Sequence, residues 1–91
     1  MEQIGNILSK FLYELGIEKP IMKYRALRMW PEIVGERISK VTEAKGLTDG
    51  KMFVKVQNDS WRNEITFYKQ EIIQKINREV GSKIVKDIIL I

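Results

Sequence analysis

Residues 46–64, GLTDGKMFVKVQNDSWRNE, decide the fold. Thr48-Asp49-Gly50-Lys51 is a turn signal, because Gly50 tolerates positive φ and an Asp side chain can bond its own backbone. After it Met52, Val54 and Val56 alternate with Phe53, Lys55 and Gln57, the period of a strand with one buried face. A partner strand is predicted near residues 43–47. The polar break Asn58-Asp59-Ser60 then offers a helix cap, with Ser60 the first candidate and Asn58 or Asp59 the alternatives. From Trp61 onward Ile65, Tyr68, Ile72, Ile76 and Val80 hold helical spacing until Gly81 supplies a stop. Phe67 and Ile73 flank this stripe, and Arg62, Lys69 and Arg78 point away from it.

Upstream, Ile4, Ile7, Leu8, Phe11, Leu12 and Leu15 form the stripe of an amphipathic helix over about residues 2–15, ended by Gly16 and Pro20. A second stripe runs from Met22 through Ala26, Met29, Trp30, Ile33, Val34 and Ile38 to Val41. Pro31 interrupts it, so the helix either kinks there or restarts with Pro31 in a first turn. Lys23, Arg25, Arg28 and Arg37 lie off the stripe. Downstream, KIVKDIILI at residues 83–91 reads as a strand buried on much of both faces. Since a helix joins it to the preceding strand, it should run parallel to residues 52–56 through a right-handed crossover. The predicted fold is α+β, an α-α-β-β-α-β domain over residues 1–91, with a three-stranded mixed sheet and helices packed on one face.

Ninety-one residues suffice for one domain with one core. The absence of cysteine removes disulfide and thiolate chemistry and fits a cytoplasmic protein. No signal peptide is apparent, and no run approaches the roughly 18 apolar residues of a membrane span. With neither His nor Cys, the commonest general base, metal ligand and nucleophile are missing. The acids fall on predicted exposed faces, and the phosphate-cradling glycine loops are absent. The sequence therefore predicts no enzyme, no metal, no cofactor and no small-molecule substrate.

The net charge of +4 is unevenly spread: residues 1–18 carry one base and three acids, and residues 19–45 seven bases and three acids. A basic centre favours a polyanion. On predicted exposure and charge, the candidate nucleic-acid contacts are Arg25, Arg28, Lys40, Lys45, Lys55 and Arg62. Each has a plainer reading as part of a solvated face, as with Arg28 and Glu32 at i,i+4 spacing. Phe53 between lysines is either a base-stacking platform or part of the packing. Trp30 and Trp61 fit the core better, near its edge where their indole N–H groups find partners.

The ordered set Trp30, Val34-Gly35, Asp49-Gly50, Val54-Lys55-Val56, Ser60-Trp61, Asn63-Glu64, Ile76-Asn77 and Gly81 resembles the bacterial DciA-like family over about three quarters of the chain. That resemblance implies a KH-like fold and a role in loading the replicative DNA helicase, with single-stranded or forked DNA as a second partner. KH domains usually grip a nucleic-acid backbone with a G-x-x-G loop, which this sequence lacks. The matching residues read as structural: Gly35 and Gly50 by backbone demand, Trp30 and Trp61 by packing, Asn77 as a polar group near a helix end. Two other readings stand beside a helicase accessory protein: a general single-strand binder, and a structural interaction module using exposed Phe53, Phe67 or Ile73 as an apolar patch.

Overall fold

The Asp49-Gly50 turn takes φ values of 53° and 81°, both positive as a two-residue hairpin of type I′ requires. In the computed structural model, which describes Lys10, Phe11, Glu14, Leu15, Gly16 and residues 18–91, this turn joins β1 (Thr42–Thr48) to β2 (Lys51–Val56). The two strands are antiparallel, with Thr48 opposite Lys51 and Leu47 opposite Met52. A bulge between Ala44 and Gly46 leaves Lys45 as the extra residue on β1.

Ahead of the sheet lie α1 (Glu18–Arg28), α2 (Trp30–Val34) and α3 (Glu36–Ser39). The helix restarts at Trp30 with Pro31 in its first turn, where a missing N–H costs nothing. A second break, which the periodicity conceals, falls at Gly35. Its φ of 86° and ψ of 170° lie outside helical space and split the stripe again. The helix expected over residues 2–15 lies for the most part outside the described residues.

After β2 comes α4 (Asp59–Val80), a 22-residue helix. Its cap is Asn58 rather than Ser60: the extended Asn58 backbone lets Oδ1 accept the Trp61 N–H at 3.0 Å. Gly81 ends it in the left-handed conformation, and its N–H bonds the Asn77 carbonyl at 2.8 Å. The last strand, β3 (Asp87–Leu90), is shorter than the β-branched run suggests. It pairs parallel with β2, Met52 beside Ile88 and Phe53 beside Ile89, so β2 is the central strand in the order β1-β2-β3. Residues 83–86 stay outside the sheet because other partners claim their backbone. Val85 is bound by Asn77, and Lys86 donates to the Gly50 carbonyl at 2.7 Å.

The chain is thus α+β, with the described helices packed on the sheet face that carries Leu47, Met52, Val54, Val56 and Ile88. Trp30 is fully buried rather than at the core edge, and its indole N–H finds Thr42 Oγ1 at 2.9 Å inside. Ile73 belongs to the core and cannot form an exposed patch. Phe67 does not flank the apolar stripe of α4. It lies on the opposite side and is 85% exposed. Tyr68, on the expected stripe, is 43% exposed.

Candidate nucleic-acid interface

The six cations chosen from sequence fall into three regions. On α1, Arg25 reaches the Glu79 carbonyl in the last turn of α4 at a long 3.4 Å, and Arg28 stands 5.7 Å from the centre of the exposed Tyr24 ring. The first of these contacts sets a cation at the negative end of a helix, where it is favoured. Near the start of α4, Arg62 pairs with Asp59 at 3.4 Å, one residue from the half-buried Trp61. The Arg37 guanidinium lies 5.6 Å from the Trp61 ring centre, and Lys40, just past the end of α3, pairs with Glu36 at 3.2 Å.

The third region is the sheet face turned away from the core. Here the register sets Lys55 opposite Glu43, and Glu43 in turn holds the bulge residue Lys45 at 3.2 Å. Phe53 lies between Gly46 on one neighbouring strand and Ile89 on the other, half-buried rather than exposed. Of the six, Lys45 and Lys55 are placed near one acid, Glu43, which pairs with Lys45 and stands opposite Lys55 in the register. Lys40, Lys45 and Arg62 each hold an exposed carboxylate, and pairs of this kind contribute about 0–1 kcal/mol and exchange readily for phosphate.

A more concentrated set of cations went unread in the sequence. Lys19 and Lys23 from α1 and Lys83 and Lys86 from the α4–β3 loop line one cavity of about 610 Å³, with Asp49, Gly50 and Ser82 at its wall and Met22, Leu47 and Ile84 as its apolar floor. Two clamps shape the loop side. Asn77 Nδ2 donates to the Val85 carbonyl at 2.8 Å while the Val85 N–H donates to Asn77 Oδ1 at 2.9 Å. The Gly50 carbonyl accepts both the Lys86 and Asp87 N–H groups, at 2.7 and 3.1 Å. Gly50 is required here twice over: φ is 81°, and a Cβ would stand 2.9 Å from Lys86 Cδ. The one local sign of this arrangement was Asn77 near a helix end, read as structural without its partner.

Among the described residues no group of three or more His, Cys, Asp or Glu can hold a metal ion, and no helix is long and apolar enough to cross a membrane. The geometry offers cations, backbone and apolar surface: the means to hold an anion.

Comparison with known proteins gives this arrangement its context. The chain is 25% identical over 80 residues to a UPF0232 protein of Streptomyces avermitilis, an alignment covering 86% of this chain and 44% of that protein. It thus spans less than half the length of this curated relative. A family model described as "Dna[CI] antecedent, DciA" matches residues 3–90, nearly the whole sequence, and the chain belongs to the DciA family.

Proposed function

We propose that this chain is a non-enzymatic, cytoplasmic accessory domain that binds the bacterial replicative DNA helicase and DNA and assists helicase loading in replication. The observation that carries this reading is the family match over residues 3–90, since DciA membership links a protein to the replicative helicase. The basic surface supports the DNA half. Candidate contacts are Arg25, Arg28, Lys40, Lys45, Lys55 and Arg62, and single-stranded or forked DNA is the partner they would meet. A single folded unit over residues 1–91, related to KH domains, is part of the same proposal.

Pull-down with the helicase of the same organism, followed by a recruitment assay on forked DNA, tests it. Association at micromolar concentration and more helicase on the fork are expected, and no binding at that concentration refutes the reading. The lysine-lined cavity favours a second reading, a general single-strand binder acting without the helicase. That reading predicts strand binding by the isolated chain, with affinity falling steeply as salt rises. A flat salt response removes it.

A further inference from the structure

We propose that the cavity between α1, the Asp49-Gly50 turn and the α4–β3 loop seats a segment of single-stranded DNA, its phosphates held by Lys19, Lys23, Lys83 and Lys86. The inference rests on the DNA half of the proposed function and assigns it to a place that none of the six sequence-chosen cations occupies.

The first support is electrostatic. Lys19 lies in the first turn of α1, the positive end of the helix dipole, where a cation is disfavoured. Lys23 follows at i,i+4, a spacing at which like charges repel. Lys83 and Lys86 line the same cavity from another segment, and Asp49 is the one acid in its wall among the described residues. Among the described residues no carboxylate pairs with any of the four lysines, whereas Lys40, Lys45 and Arg62 are each paired. Four lysines lining one concavity concentrate positive charge there, and a bound polyanion offsets it.

The second support is shape and chemistry. The volume falls within the range of small-ligand sites and admits a nucleotide. Met22, Leu47 and Ile84 present aliphatic and thioether surface to a sugar or base edge, while among the described residues no aromatic lines the cavity. Binding therefore depends on phosphate charge rather than stacking. Lysine is a point charge without the fork that reads bases bidentately, so the site grips backbone and does not select sequence. The Lys86 and Asp87 N–H groups are committed to Gly50, so at these two positions contact falls to the side chains.

Fluorescence anisotropy with a labelled oligothymidylate strand, titrated over a range of salt, tests the assignment. Each of Lys19→Gln/Lys23→Gln and Lys83→Gln/Lys86→Gln should weaken strand binding about tenfold near physiological salt and reduce the log–log salt slope by about 1.4, at ~0.7 per lost contact on a single strand. Lys69→Gln/Lys75→Gln removes the same charge outside the cavity and should leave the slope near that of the unaltered chain. Melting curves confirm that each variant is folded. If both cavity pairs keep affinity and slope while the unaltered chain binds the strand, the cavity assignment is overturned and DNA binding stands. If the unaltered chain shows no salt-dependent strand binding, the DNA reading itself falls. Thymidine monophosphate should fail to displace the strand at micromolar concentration; displacement there would identify a mononucleotide seat and overturn the strand assignment.

Discussion

Asn77 is where one substitution should disturb the chain most for its size. Its side chain closes a two-bond ring with the Val85 peptide, at 2.8 and 2.9 Å, and Val85 is 1% exposed. Replacement by alanine removes both bonds but keeps the helical backbone, whose carbonyl at this position still accepts the Gly81 and Ser82 N–H groups. Two ordinary hydrogen bonds have a net worth of about 1 kcal/mol each, and a buried N–H or C=O left without a partner costs about 1–3 kcal/mol. Water reaches Val85 poorly, so the loss should be about 2–4 kcal/mol, a large part of the ~5–15 kcal/mol that stabilises a typical domain. At about 4–8 °C per kcal/mol for a chain of this size, Tm should fall by at least ~8 °C. Urea titration measures the change directly as a lower midpoint at constant m-value. Asn77→Asp keeps the acceptor for the Val85 N–H but loses the donor, so it should recover no more than about half of the loss at neutral pH. A change below about 0.5 kcal/mol for Asn77→Ala would refute the account of residues 83–86 as a loop fixed by this side chain.

Gly50→Ala forces a Cβ into positive-φ backbone and to 2.9 Å from Lys86 Cδ, so urea titration should show a loss of about 1–2 kcal/mol from the backbone alone, with more if Lys86 cannot move aside. Asn58→Ala should cost about 1 kcal/mol by removing the α4 cap, Asn58→Asp should keep most of it, and Ser60→Ala should change thermal stability little; a larger effect at Ser60 would reassign the cap.

What could be read from the sequence follows from the range of the interactions. The hairpin, the alternation of β2, the restart at Pro31 and the stop at Gly81 are set within a few residues, by positive φ, by side-chain period or by a missing N–H. These appear in the structure where local chemistry puts them. The helix break at Gly35 escaped, although that glycine reads as one of backbone demand, because the apolar spacing continues across it. The length of the last strand escaped for a different reason. Its residues have strand propensity throughout, but a side chain eight positions earlier and the carbonyl of a distant turn claim the peptides of Val85 and Lys86. Phe67 carries a related lesson: in the sequence it reads as flanking the apolar stripe and as one residue of an exposed patch, and helical geometry turns it to solvent, away from the stripe.

The candidate site shows the same limit more sharply. Any one of its lysines looks like an ordinary surface cation in the sequence, and Lys19 and Lys23 enter as part of the basic stretch 19–45, without Lys83 and Lys86. Their convergence needs α1, the hairpin turn and the α4–β3 loop at once, which no window of sequence contains.

How the cavity is built bears on how tightly it would hold a strand. Its rigid parts are backbone: the Gly50 carbonyl gripping two N–H groups, and the Asn77 ring around Val85. Its charges ride on four flexible stems, three of them on exposed residues. Ordering a long side chain on binding costs about 0.5–1.5 kcal/mol, so fixing four lysines opposes binding by roughly 2–6 kcal/mol. Counterion release drives association quickly, but that entropic cost and the lack of a stacking aromatic among the described lining residues limit residence. A strand held in this way is easily surrendered. That behaviour suits a domain whose proposed task is to bring DNA to a helicase, because a site that kept the strand would compete with the enzyme it serves.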